Sequence, residues 1–179
     1  MSNFTDFSTT AKGITLKKHL EESHKDLHQW FLLYQECLVA GLDQSAIRTL
    51  EVFEQILVFH LTFEDQWLLK DALSTTRWPI TVYRKEHEKL EAALSKLKRK
   101  TADYLTFSGR KKRHALISLI EDQLRFYHLM EHHEEREEQD LFLFMPDLSA
   151  SLWVVPYKKL LDSFLSFKEN TVRQLDNLQ

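Results

Sequence analysis

Glycine and proline are scarce in this chain, with three of each among 179 residues. Both residues interrupt helices, glycine through its backbone entropy and proline through its missing N–H. A sequence with so few of them can therefore support long helices. The three glycines, Gly13, Gly41 and Gly109, stand at the edges of apolar stretches. We expect an all-α fold whose helices begin or end near these positions.

Apolar residues recur at spacings of three and four in five segments, which is the period of an amphipathic helix. The inward stripe of the second segment includes Glu64 and Trp67, and Pro79 suits a first helical turn. Short connections between long helices predict an up-down-up-down four-helix bundle at residues 14–146, and residues 147–179 are predicted to form a C-terminal helical extension packed on it. The predicted helices cover about residues 14–40, 45–72, 79–105, 109–142 and 157–178.

The composition limits the cellular setting. The net charge of −3 is close to balance, and Cys37 stands alone, so the sequence predicts no disulfide framework. The first residues lack the basic start and apolar run of a signal peptide. No apolar stretch approaches the roughly 20 residues that cross a bilayer. We expect a cytoplasmic protein with no membrane partner.

Two segments place a histidine four residues before a glutamate: His60-Leu-Thr-Phe-Glu64 and His133-Glu-Glu-Arg-Glu137. On an α-helix, positions i and i+4 lie on one face, so each segment can direct an imidazole and a carboxylate to the same place. Iron, zinc and manganese all accept such nitrogen and oxygen ligands. The two segments therefore predict a metal site between helices.

Four of the nine histidines fall on the apolar stripes of four different predicted helices, as do Glu64 and Glu137. Buried charged groups are normally paired or bound to metal, because leaving them without a partner is costly. Two alternatives stay open, since His28 competes with His24 and His132 competes with His133. The candidate metal ligands are His24, His60, Glu64, His87, His133 and Glu137.

The motifs around these residues resemble those of the hemerythrin-like, or HHE cation-binding, family. The resemblance covers about residues 15–146 and implies a four-helix bundle around a non-haem di-iron centre. In that reading the four histidines bind the irons and the two glutamates bridge them. The matching segments are Leu20-Glu-Glu-Ser-His24-Lys-Asp-Leu27, His60-Leu-Thr-Phe-Glu64-Asp, Trp78-Pro79 followed by Glu86-His87, and His133-Glu-Glu-Arg-Glu137-Glu-Gln-Asp-Leu-Phe142 with Pro146 behind it.

The chain departs from the family's oxygen carriers at Tyr83, where those proteins place a further histidine one turn before the one matching His87. Tyr83 can give a phenolate to ferric iron, donate a hydrogen bond to a bound oxygen species, or pack. Glu91, one turn after His87, is a further possible ligand. We expect apolar side chains to keep the cofactor pocket dry, and these include Phe31, Phe63 and Met130.

We expect a non-haem iron protein that binds or reacts with oxygen, nitric oxide or peroxide, in sensing, detoxification or iron handling. A ferritin-like carboxylate oxidase needs Glu-x-x-His on two helices, and Glu21-x-x-His24 is the single match. The third alternative is a metal-free helical interaction module that uses the last helix. We do not expect a nucleic-acid partner, because the basic runs at 96–100 and 110–113 suit a solvated end of the fold. The sequence leaves open the oligomeric state and whether one or two ions bind.

Overall fold

The chain is all-helical in the computed structural model, which describes residues 7–70, 76–145 and 148–178, with side chains from Leu16 onward. No strand occurs in these ranges, and the prediction of an all-α fold is confirmed. None of the described helices is long and apolar enough to cross a membrane. The helices are α1 (Phe7–Val39), α2 (Asp43–Phe63), α3 (Ile80–Leu105), α4 (Gly109–Gln139), α5 (Ser151–Asp162) and α6 (Leu165–Asp176).

The four long helices contact one another in a closed order. Helix α1 packs on α2 and α4, and α3 packs on α4 and α2. Where α1, α2 and α4 meet, the buried rings of Phe31, Phe53 and Phe126 lie with their centroids 5.2–5.7 Å apart. Helix α5 packs on α1 and α2, and α6 packs on α1.

Glycine shapes two helix ends, but it does not set the start of α1. Gly41 has φ +73°, and the Leu42 N–H donates to the Cys37 carbonyl, which closes the α1 C-terminus in a left-handed cap. Gly109 opens α4 with φ +54°. Gly13, by contrast, lies inside α1, which begins at Phe7 instead of near residue 14. One glycine costs a helix only about 1 kcal/mol, too little to end it.

The second helix changes its hydrogen-bond pattern before the predicted end at residue 72. Regular α-helix stops at Phe63, and residues Glu64–Leu68 form a π-helical turn. The extra residue in that turn rotates the following stretch. Trp67, predicted to face inward, is therefore 41% exposed, while Leu68 and Leu69 are buried in its place. Residues 71–72 of the predicted helix lie outside the described residues.

The last two predicted helices also differ from expectation. Helix α4 ends at Gln139, and a 3-10 turn follows at Leu141–Leu143; Pro146 lies outside the described residues. The predicted fifth helix is two helices. The first starts at Ser151, six residues early, and contains Pro156 at the cost of one hydrogen bond. Trp153, which is fully buried, explains the early start because it anchors this segment against Phe63 of α2.

Candidate metal centre

Six titratable side chains from four helices converge in the interior. Their residues are 0–3% exposed. Helix α1 supplies His24, α2 supplies His60, and Glu64 follows at the start of the π-turn. Helix α3 supplies His87, and α4 supplies both His133 and Glu137. The structure thus brings together all six of the residues proposed from the sequence as metal ligands.

The six side chains form two half-sites that share the glutamates. His24, His60, Glu64 and Glu137 form half-site A, and His87, His133, Glu64 and Glu137 form half-site B; within each, the candidate ligand atoms lie within 4.8 Å of one another. Both half-sites are buried and could hold a metal ion.

The two carboxylates face both half-sites at once. Glu64 Oε1 lies 3.0 Å from His60 Nε2, and Glu64 Oε2 lies 3.4 Å from His87 Nε2. Glu137 Oε2 lies 3.4 Å from His24 Nε2, and Glu137 Oε1 lies 2.9 Å from His133 Nε2. Each glutamate therefore presents one oxygen to half-site A and the other to half-site B, as a bridging carboxylate does.

Every inward nitrogen is Nε2, and every Nδ1 points to an outer polar group. His24 Nδ1 lies 2.8 Å from Glu138 Oε1, and His133 Nδ1 lies 3.3 Å from Glu86 Oε2. His60 Nδ1 lies 3.0 Å from Ser23 Oγ. His87 Nδ1 lies 3.3 Å from Asp65 Oδ1, close enough for an ion pair but without a hydrogen bond. Metal-binding histidines use this arrangement, in which the second nitrogen is held by a carboxylate or another acceptor.

The tautomer of His60 follows from the hydrogen bonds of Ser23. The Ser23 hydroxyl donates its single proton to the Leu20 carbonyl at 2.6 Å, so towards His60 it can only accept. His60 Nδ1 must therefore carry the proton that Ser23 accepts. When this imidazole is neutral, its lone pair is on Nε2, which faces Glu64 and Glu137, and that is the form that binds a metal.

The outer partners share a simple relation to the ligands. Ser23 precedes His24 but contacts His60 of α2, and Glu86 precedes His87 but contacts His133 of α4. Asp65 and Glu138 follow Glu64 and Glu137 and contact His87 and His24 in the same manner. Nothing in the helical periodicity of the sequence singles out Ser23 or Glu86 for this role. The feature that could have identified Ser23 and Glu86 is a polar residue next to a candidate ligand, because such a residue can bind a histidine on another helix.

The donor set fits a pair of metal ions. Glu64 Oε1 and Oε2, Glu137 Oε1 and Oε2, and the Nε2 atoms of His87 and His133 have no hydrogen-bond partner among the described residues. Atoms bound to one ion at about 2.0–2.2 Å lie roughly 2.8–3.8 Å apart for angles of about 90–120°. The distance between His24 Nε2 and His60 Nε2 is 3.2 Å, within that range. Cations at the two half-sites would satisfy every one of these buried atoms.

Without a metal, nearby carboxylates favour the protonated forms of His24 and His87. Burial by itself lowers the pKa of the His24 imidazole, but the nearby carboxylates of Glu137 and Glu138 outweigh burial and raise that pKa to about 10. Burial likewise lowers the pKa of His87, and Glu137 and Glu64 raise it to about 10. Burial raises the pKa of Glu137, and the charge of His133 carries it well below its usual range. Metal binding must therefore displace protons.

The competing histidines and Glu91 lie away from the half-sites. His132 has a side chain that is 76% exposed and sits beside Glu135 on the solvent face of α4. His28 forms its contact with Glu134, at 2.6 Å between Nε2 and Oε2, one turn further along the helices. Glu91 is exposed. Of these alternatives, none brings an atom into the two groups of candidate ligands.

Tyr83 directs its hydroxyl to a carboxylate. The hydroxyl donates to Asp140 Oδ2 at 2.8 Å, and Asp140 also accepts the backbone N–H groups of Arg77 and Trp78. Burial and the Asp140 charge raise the pKa of the phenol above its ordinary value, which opposes a phenolate. Among the alternatives drawn from the sequence, this contact favours a hydrogen-bonding role for Tyr83.

Aromatic rings cover two of the histidines. Phe142 stacks on His24, with centroids 5.6 Å apart, and Trp153 meets His60 edge-on at 5.5 Å; neither residue was on the predicted list. Phe31 and Met130 are fully buried, as a dry pocket requires. Phe63 instead packs on Trp67 and Trp153 and lines a surface groove of about 670 Å³ between α2 and α5.

The C-terminal aromatic residues and the basic runs, which could bind a protein or nucleic-acid partner, make contacts within the chain instead. Phe164 and Phe167 of the C-terminal region pack on Trp30 of α1. In the two basic runs, four lysines form ion pairs with acidic side chains, which lowers the free positive charge of this surface. These pairs join Lys96 and Lys100 to Asp122, Lys98 to Glu54, and Lys112 to Asp43.

Comparison of the chain with protein-family models, with curated proteins and with solved structures finds no match. What the protein does therefore has to be inferred from the six buried side chains and their surroundings.

Proposed function

We propose that this protein is a hemerythrin-like four-helix bundle that holds two non-haem iron ions and uses them to bind or react with a small gas or oxidant. The observation that supports it most is the division of the two carboxylates. Each of Glu64 and Glu137 presents one oxygen to the pair His24 and His60 and the other to the pair His87 and His133.

A metal-free interior is a poor alternative. Six titratable residues are at most 3% exposed, and burying charge without full pairing costs several kcal/mol per group. Among the described residues, the oxygens of Glu64 and Glu137 have no hydrogen-bond partner, so the histidines beside them do not satisfy them fully. Two bound cations would remove this cost, whereas a metal-free interaction module would gain nothing from six buried titratable side chains.

The ligand count favours iron over zinc. Each half-site offers two imidazole nitrogens and two carboxylate oxygens. Four ligands complete a tetrahedral structural zinc site and leave it closed. An ion that prefers six ligands keeps positions open at the same site, and histidine–carboxylate sets with open positions are typical of non-haem iron. A ferritin-like ligand set is disfavoured because Glu21, in its single Glu-x-x-His match, has a side chain that is 35% exposed.

The surrounding residues prepare the site for a small, weakly polar ligand. Phe142 and Trp153 cover His24 and His60 and keep water from those imidazoles. Glu86 and Ser23 fix the orientation of His133 and His60. Iron bound here would supply the capacity to bind a diatomic gas or to exchange electrons with an oxidant.

The four-helix bundle is part of the same proposal. The contacts of α1 with α2 and α4, and of α3 with α2 and α4, are those of four helices around one axis. One ligand-bearing helix then stands at each corner. The iron site and the hydrophobic core would share that axis, so the site would be built by the same packing that folds the chain.

Reconstitution with ferrous iron under anaerobic conditions tests the proposal. We expect about two irons per chain by elemental analysis. His133→Asn should lose iron, and His132→Asn, the matched control with a side chain 76% exposed, should retain it. A folded wild-type protein that retains no iron would contradict the metal site. Equal loss in the two variants would contradict the assignment of His133.

Nitric oxide titration of the ferrous protein, followed by visible absorption and electron paramagnetic resonance, tests the gas ligand separately. We expect a new absorption band and a change in the spin signal. A protein that holds two irons but shows neither would retain the metal assignment and lose the gas-binding one.

A further inference from the structure

We propose that the two ion positions are unequal, and that the position between His87 and His133 fills first and binds its ion more tightly than the position between His24 and His60. This inference rests on the proposed function, because it takes for granted that both half-sites bind metal. It concerns the order of loading, which the ligands alone do not set, since the two half-sites have the same donor atoms.

The difference lies in the groups behind the imidazoles. In half-site B, the acceptors facing Nδ1 are two carboxylates, Asp65 behind His87 and Glu86 behind His133. In half-site A, Glu138 stands behind His24, but His60 is held by the hydroxyl of Ser23. Three carboxylates therefore divide as two behind half-site B and one behind half-site A.

Two of the three carboxylates are partly exposed. Asp65 and Glu138 have side chains 43% and 42% exposed, so solvent screens the charge of both. Glu138 makes a 2.8 Å hydrogen bond with His24, whereas Asp65 lies 3.3 Å from His87 Nδ1 without a hydrogen bond and acts there by its charge alone. What remains is Glu86 against Ser23. The Glu86 side chain is 14% exposed, whereas Ser23 is fully buried and brings no charge.

A negative acceptor behind an imidazole makes it a stronger metal ligand, and losing such a partner typically costs about 10–100-fold in metal affinity. Ser23 is a weaker partner than a carboxylate, because its hydroxyl accepts from His60 Nδ1 as a neutral group. Arg136 pairs with the other oxygen of Glu86 and lies over the Trp78 ring, 5.0 Å from its centroid. This cation reduces the charge of Glu86 in part, but it also holds the carboxylate in place behind His133.

Cobalt(II) titration of the full-length metal-free protein tests the order, because tetrahedral or five-coordinate Co²⁺ gives visible bands and calorimetry resolves two steps. We expect two steps, the first roughly 10-fold or more tighter than the second. Glu86→Gln should weaken the tighter step by about 10–100-fold and leave the weaker one unchanged. Ser23→Asp should strengthen the weaker step, so that the two steps converge.

Two further variants keep the test decisive. Ser23→Ala, which suits a helix interior and removes only the acceptor, should weaken the second step alone if Ser23→Asp does not fold. Ser95→Asp adds the same charge at an exposed position of α3 and should change neither step. Helicity by circular dichroism separates a binding effect from loss of structure.

Each remaining outcome counts against the inference. If a Ser23 variant changes the tighter step, the order is reversed. If the wild type binds two Co²⁺ ions in a single step and Glu86→Gln does not separate it, the half-sites are equal, while the proposed metal function stands. If the wild type binds no Co²⁺ and no iron, the proposed function itself fails and the loading order fails with it.

Discussion

Replacing Tyr83 by phenylalanine removes one of three donors from a buried carboxylate. Asp140 accepts N–H groups from Arg77 at 2.8 Å and Trp78 at 3.1 Å, and the Tyr83 hydroxyl at 2.8 Å. A hydrogen bond to a charged group contributes about 1.5–3 kcal/mol. Because the two backbone donors remain, we expect the free energy of unfolding to fall by an amount near the lower end of this range, about 1.5–2 kcal/mol. In a chain of this size that lowers Tm by roughly 3–8 °C.

Tyr34→Phe is the matched control. The Thr101 hydroxyl donates to the Leu97 carbonyl, so it accepts from the Tyr34 hydroxyl, 2.6 Å away, and both residues are buried and neutral. A neutral hydrogen bond contributes about 0.5–1.5 kcal/mol, so this variant should lose less stability than Tyr83→Phe. Thermal and urea unfolding of the metal-free proteins at pH 7 measure the difference. Equal stability of Tyr83→Phe and the wild type would refute the charged hydrogen bond.

The same variant tests whether Tyr83 binds iron. Since its hydroxyl is committed to Asp140, Tyr83→Phe should keep the iron content and the visible spectrum of the oxidised wild-type protein. Loss of a visible band, without loss of stability in the metal-free state, would show a phenolate ligand and contradict the hydrogen-bonding role.

Three more outcomes follow from the structure. Removing iron with a chelator should lower Tm, since ligand at several hundred times Kd stabilises the fold by about 3–4 kcal/mol; calorimetry showing equal Tm would count against an interior site. The pKa of His24 and of His87 is about 10 in the folded metal-free protein, against 6.5 as the ordinary value. Protonation therefore stabilises this state below about pH 6.5, and that stabilisation is lost as the pH rises towards 10. Between pH 6.5 and 10, the Tm of the metal-free protein should therefore fall and its metal affinity should rise. A Tm that stays constant over this range would contradict the raised pKa values. Trp153→Ala should lower the free energy of unfolding by about 3–5 kcal/mol, and Trp67→Ala, at a residue 41% exposed, should lower it far less. Similar denaturation midpoints for the two variants would show that α5 does not depend on Trp153.

Helical periodicity predicted the elements and the faces that carry the six side chains. Spacings of three and four identify His24, His60, His87 and His133 because each lies on an apolar stripe, and that placement depends only on local geometry. The same reasoning cannot find Ser23 or Glu86. Each is turned about 100° from the histidine that follows it and reaches a histidine on a neighbouring helix, so its role appears only when the helices are packed.

The errors in helix boundaries have a related origin. Proline suits a first helical turn, so Pro156 favours a helix that starts near residue 157. The burial of Trp153, three residues earlier, instead keeps the helix continuous through Pro156. The prediction that Trp67 faces inward is wrong because it assumes that the helix continues with 3.6 residues per turn after Glu64. No residue type marks a π-turn, so the change of register could not be predicted from local preference.

The π-turn at Glu64–Leu68 makes the length of this segment matter more than its composition. His60 and Glu64 lie before the extra residue and keep the ordinary spacing of four, while Leu68 and Leu69 lie after it. Deleting one residue, such as Gln66, would restore a continuous α-helix and rotate everything downstream by about 100°. Both candidate ligands would stay in place, but the buried Leu68 and Leu69 would turn towards solvent. A graft of this candidate metal site onto another helix must therefore copy the spacing after Glu64 as faithfully as the candidate ligands.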